Sequence, residues 1–203
     1  MLTRLVRVAA LMGILGPLAA GAADLVVISS GANAFADFTT SDACVTTTVH
    51  LEAGSQFVRV PSAVPQPSAS TGAFIIITRM DACSGTTIAL QGFSQDVTYT
   101  FDRLLTQAHL TGPIEACDPD TGLSCVTLSV DLVWSGVGLL GNLRNNNRQI
   151  SGAFIFIAML VGEARSAIVT GTVSDGTTNY TPGPSDAAFM AWVTTHEVFV
   201  HRQ

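Results

Sequence analysis

One phrase occurs twice in this chain. Gly72-Ala73-Phe74-Ile75-Ile76-Ile77 returns as Gly152-Ala153-Phe154-Ile155-Phe156-Ile157, 80 positions later. Upstream of each copy, Cys44-Val45-Thr46-Thr47-Thr48-Val49-His50-Leu51 returns as Cys125-Val126-Thr127-Leu128-Ser129-Val130-Asp131-Leu132 at an offset of 81. Two phrases in one order at nearly one spacing imply an internal duplication of about 80 residues, with halves at roughly 42–116 and 123–203. That period exceeds those of solenoids and propellers, so two similar half-domains are expected, not an array. The phrases are rich in β-branched residues, and the Cys-Val-Thr phrase alternates, which is the signature of strands.

The remainder of the chain agrees. No segment sustains a helical period, and Gly, Pro, Asn and Asp turn signals recur every 10–15 residues. The pattern predicts an all-β fold: an antiparallel β-sandwich, or barrel-like sandwich, of about 9–11 strands. The run 73–80 is almost wholly apolar and is expected to be buried on both faces, with 153–161 as its counterpart. Residues 86–91 return as its hairpin partner, and Gly112-Pro113 favours strand over helix for 104–114. Residues 31–41, 61–70 and 136–147 are read as loops from their small, Pro/Ser-rich and Gly/Asn-rich compositions.

The amino terminus reads as a signal peptide over residues 1–22. Arg4 and Arg7 precede an apolar stretch too short to span a bilayer, and Ala20-Gly21-Ala22 fits the small-x-small cleavage rule. Cleavage would leave residues 23–203 as a single domain in a secreted, extracellular or periplasmic setting, with no membrane span. The all-Arg, Ala/Gly-rich usage suggests a bacterial chain. Removing Arg4 and Arg7 leaves seven basic residues against 15 acids. Such a charge repels nucleic acid and anionic lipid, and neither is expected as a partner.

Four cysteines in an oxidising compartment predict two disulfides. The preferred pairing is Cys117–Cys125, closing a short turn, with Cys44–Cys83 joining the starts of two strands. A metal site built from all four thiolates is disfavoured because no Cys-x-x-Cys pair occurs.

Chemistry-bearing motifs are sparse. Asp118-x-Asp120-x-Gly122 offers two carboxylates on a tight turn, as the start of a calcium loop does, but lacks the remaining EF-hand ligands and is equally a plain turn. Apart from calcium, no cofactor is expected. His50 and Glu52 share a strand face, as do Glu197 and His201, and such pairs can hold a metal or move a proton. His196-Glu197-Val198-Phe199-Val200-His201 has one residue too many for a zincin helix. No nucleophile elbow or phosphate loop occurs. Trp134 sits at a strand end before Ser135-Gly136, where an exposed ring could stack on a sugar. These observations favour a non-catalytic extracellular protein with a binding or structural role, its partner an unknown ligand or further copies of itself through strand edges. The alternatives are a hydrolase-like enzyme with a His/carboxylate site, and a calcium- or carbohydrate-binding module.

Overall fold

The computed structural model describes residues 25–59, 68–150 and 154–201. The signal peptide at 1–22, most of the 61–70 segment and Ala153 lie outside them. The described chain forms ten strands and no helix. They are β1 (Leu25–Asp42), β2 (Val45–Arg59), β3 (Ser68–Asp81), β4 (Thr86–Ser94), β5 (Thr98–Phe101), β6 (Gln107–Cys117), β7 (Val126–Ile150), β8 (Phe154–Ser174), β9 (Asn179–Tyr180) and β10 (Ala187–His201). All pairings are antiparallel.

Eight strands close on themselves in the order β1-β2-β3-β4-β6-β7-β8-β10, because β10 pairs with both β8 and β1. The result is one barrel-like ring, and the two halves of the chain do not form separate sheets. Closure removes free edges where it is complete. Its weak seam lies between β4 and β6, which meet only at Gln91–Cys117 and Gly92–Ala116. A side chain on Gly92 would strike the Glu115 carbonyl at 2.3 Å, so the two backbones approach as closely as glycine permits.

Alternation explains which side chains point inward. Ala32, Ala34, Ala36 and Phe38 on β1, Val49, Leu51 and Ala53 on β2, and Ala73, Ile75 and Ile77 on β3 are buried, with outward residues between them. From the other wall come Leu110, Ile114, Leu128, Val130, Leu132 and Trp134. The barrel interior is thus a dry packed core, with small β1 alanines facing large residues elsewhere.

Three sequence expectations are corrected. Residues 31–41 belong to β1, because the alternating alanines that resemble loop composition are the inward face of a strand. Residues 136–147 are not loop but the continuation of β7, which stays paired to β8 across an irregularity between Val137 and Gly141. Tertiary pairing overrides the weak strand propensity of Gly and Asn there. The strand at 73–80 is buried on its inner face only, since nothing covers the outside of the ring.

The repeated phrases fall on successive strands in both halves, β2–β3 and β7–β8, but their register does not repeat. Leu51 pairs with Ile75, whereas Leu132 pairs with Gly171 and Ile155 pairs with Ile150. In the first copy Ile75 and Ile77 are core residues; in the second, Ile157 is 40% exposed.

Both disulfides are formed as expected. Cys44–Cys83 joins the β1–β2 turn to the β3–β4 turn, with Cα atoms 5.4 Å apart. Cys117–Cys125 closes the β6–β7 turn, with Cα atoms 4.0 Å apart. The described cysteines include no free thiol.

Candidate functional site

After Ser94 the chain leaves its β3 partner, and β5 runs on along β6 alone. Val97 and Tyr99 turn into the core, and the tight turn 102–106 follows. Asp102 organises this turn: its carboxylate accepts from the backbone N–H groups of Leu104 (2.6 Å), Thr106 (3.1 Å) and Gln107 (3.0 Å), and from the Thr106 hydroxyl. The Thr106 hydroxyl and these amides hold the Asp102 carboxyl below the usual carboxylate range. Leu105 is buried although its φ is +51°. Gly136 donates its N–H to the Thr106 carbonyl at 2.8 Å and locks the turn against β7.

This segment plugs the barrel. The Phe101 ring stacks between Tyr99 (6.0 Å) and Trp192 (5.5 Å), and the Arg103 guanidinium lies 5.4 Å from the Trp192 centroid. Burial also holds the Tyr99 hydroxyl above the usual phenol range. Trp192 marks a boundary, being paired with Ala32 on one side and Glu163 on the other.

Beyond that level six strands continue and two do not. β3, β2, β1, β10, β8 and β7 extend as a curved open sheet, while β4 and β6 have ended. No described side chain in 26–31, 54–59, 155–166, 192–200 or 135–150 is fully buried. Yet the three central strands are apolar on both faces there: Val26, Val27 and Ile28 on β1, Val198 and Phe199 on β10, and Ile155 to Val161 on β8. The register sets Val26 against Val198 and Val198 against Ile157, and Phe199 meets Phe156 with rings 4.7 Å apart. On the concave face Ile157, Met159 and Val161 are 40%, 37% and 44% exposed. A strand tip that is apolar on both faces has the composition of a strand covered on both faces. This apolar blade is the candidate functional surface, and it is interrupted by His196, set between Ile28 and Met159, and by Glu197.

The residues singled out from sequence lie elsewhere. Trp134 is not an exposed platform but a core residue, 0% exposed, whose indole N–H donates to the Phe35 carbonyl at 2.9 Å. Trp134 is an even-numbered residue of β7, in phase with Leu128, Val130 and Leu132, and that phase points it inward. Asp118 accepts from the N–H groups of Asp120 (2.8 Å) and Thr121 (3.2 Å), and its own carbonyl accepts from Gly122, so its carboxylate builds the turn. Asp120 is exposed beside it. Asp118 also borders a shallow groove of about 290 Å3 along the β4–β6 seam, with Phe74, Phe93 and Pro119. Glu115 lies close to Cys117 and Cys125, but the disulfide leaves those sulfurs without thiolate character.

His50 does meet a carboxylate, and a second one that spacing alone could not reveal. Its Nδ1 lies 2.5 Å from Asp37 Oδ1, and its Nε2 lies 3.4 Å from Glu52 Oε1. Asp37 is the direct cross-strand partner of His50 on β1. These hydrogen bonds, to Asp37 first and Glu52 second, raise the imidazole pKa to about 9 against an opposing desolvation. With both ring nitrogens engaged, the imidazole has no free lone pair for a metal. A second exposed pair, His109 Nε2 to Asp131 Oδ1 at 2.8 Å, links β6 to β7. His196 and Glu197 are adjacent on β10 and so point to opposite faces, while the His201 side chain lies outside the described part.

No family model matches the chain, and no curated protein matches it. Among solved structures it is similar to an acetoacetate decarboxylase-like enzyme from Sphingomonas wittichii RW1, with 6% identity, a TM-score of 0.34, and coverage of 91% of this chain and 94% of that one. A similarity of that size supports no functional argument.

Proposed function

We propose that this is a secreted, non-catalytic protein with a binding or structural role outside the cell, and that its open end docks onto an apolar protein surface. The observation that carries this reading is the two-faced apolar tip of β8, β10 and β1, which no other described part of the chain covers. Contiguous apolar surface of this kind marks an interaction site. The dry core supports a scaffold role, since the barrel interior is occupied by side chains. The two disulfides suit an oxidising compartment, and a signal peptide at 1–22 would deliver the chain there. Among the described residues no helix is long and apolar enough to cross a membrane.

The test is a double substitution, Ile157→Asp with Val161→Asp, on the concave face of the blade. Wild-type protein is expected to enhance and blue-shift Nile red emission, and the double variant to lose most of that signal while keeping its far-ultraviolet circular dichroism. A wild type that is silent to the dye and monomeric at every concentration would overturn the reading.

A further inference from the structure

We infer that the partner of the open end is a second copy of this chain, paired through the free edge of β7. This inference rests on the docking role proposed above and names its partner. Beyond Ser135, β7 is paired to β8 on one side and has no strand partner on the other among the described residues. The free stretch Gly141-Asn142-Leu143-Arg144-Asn145-Asn146-Asn147-Arg148-Gln149-Ile150 is about 34 Å of strand at ~3.4 Å per residue. Unpaired N–H and C=O groups along such an edge are a template for another strand.

The sequence of this edge selects one register. A two-fold axis through a strand must pass through a residue if the faces of the two copies are to match. Centred on Arg144, it would oppose Arg144 to itself. Centred on Asn146, it would oppose Arg144 to Arg148. Like charges directly opposite are destabilising. Centred on Asn147, it would shorten the overlap and set Ile150 against Arg144.

Centred on Asn145, it opposes Arg144 to Asn146, Arg148 to Asn142, and Leu143 to Asn147, so that every guanidinium faces an amide. The same register brings Ile150, 56% exposed, to Leu140 of the second copy, beside Leu139, which is 94% exposed. Two apolar contacts therefore bracket an amide-rich centre, one at each end. Antiparallel pairing places the two barrels at opposite ends of the shared sheet, out of each other's way. The dimer is a continuous twelve-stranded sheet with both concave faces on one side.

The test uses charge at the axis. Asn145→Glu and Asn145→Lys each oppose a like pair across the two-fold, and each is expected to weaken the dimer about fivefold or more by sedimentation equilibrium. Mixing the two variants is expected to restore a dimer that contains one of each. Position 145 is exposed, so circular dichroism should not change. If both variants dimerise like wild type, the proposed edge is wrong. If in addition Ile157→Asp with Val161→Asp abolishes the dimer, copies associate through the blade face and the docking role stands. A wild type that is monomeric at all concentrations yet binds Nile red overturns the second copy as partner while leaving the docking role intact.

Discussion

The indole N–H of Trp134 donates to the main-chain carbonyl of Phe35 at 2.9 Å, across 99 positions of sequence. Trp134 lies on β7 and Phe35 on β1, two strands that are not neighbours in the ring, so this bond crosses the barrel interior. Phe35 itself turns its ring outward and stacks on Phe189 with centroids 4.4 Å apart. One residue thus joins an inner polar contact to an outer aromatic one. Trp134→Phe removes the donor but keeps most of the volume, and should destabilise by about 1–3 kcal/mol; Trp134→Ala adds a cavity and should cost about 3–5 kcal/mol. Urea unfolding followed by circular dichroism measures both.

The Asp37–His50–Glu52 cluster predicts a pH dependence. The folded-state pKa of His50 is raised from 6.5 to about 9. Below pH 6.5 both folded and unfolded chains carry the proton, and the stabilisation is fully present. As pH rises above 6.5 the unfolded chain releases its proton first, and the contribution falls until it is lost above about 9. The melting temperature should therefore drop between pH 6.5 and 9, and His50→Gln should flatten that part of the profile. An unchanged slope in the variant would assign the drop to other groups.

The two disulfides should differ in worth. Cys44–Cys83 spans 39 residues and Cys117–Cys125 spans 8. Loop-closure entropy gives roughly 4 kcal/mol for the first and roughly 2.5 kcal/mol for the second. Replacing each pair by alanines and comparing denaturant midpoints should show the larger loss for Cys44 and Cys83. The reverse ranking would mean that local turn geometry outweighs loop length.

Gly136 is the point at which the plug is seated. A Cβ there would lie 2.1 Å from the Leu105 carbonyl oxygen, and backbone cannot yield as a flexible side chain does. Gly136→Ala should destabilise by about 1–3 kcal/mol and loosen the 102–106 turn. Hydrogen exchange at the Gly136 amide, which now donates to Thr106, should accelerate more than exchange in β1 or β2.

What was legible in the chain alone was local. Residues 44–51 alternate and are β-branched, and that period is a property of the strand backbone whatever it pairs with. The cysteine pairing was also readable, because Cys44 and Cys83 each sit at the edge of a strand and neighbouring strands bring such positions within reach. Composition misled where small residues do strand work: Ala32, Ala34 and Ala36 look like loop until large side chains are seen opposite them. It misled again at 141–150, where pairing with β8 holds Gly and Asn in an extended form they do not prefer.

Inwardness and partnership were decided only in three dimensions. The phase of β7 carried Trp134 into the core, and the cross-strand register placed Asp37 against His50 from 13 positions away. Register also separated the two copies of the repeated phrase, making Ile75 and Ile77 core while Ile155 and Ile157 line an open end. The sequence by itself determined that the chain is all-β and doubly bridged, because backbone period and strand-edge cysteines are local properties. The tertiary structure decided that eight strands close into a ring, that 95–106 plugs it, and that an apolar blade projects beyond the plug. Closure, register and exposure depend on which distant segments meet, and no local pattern specifies that.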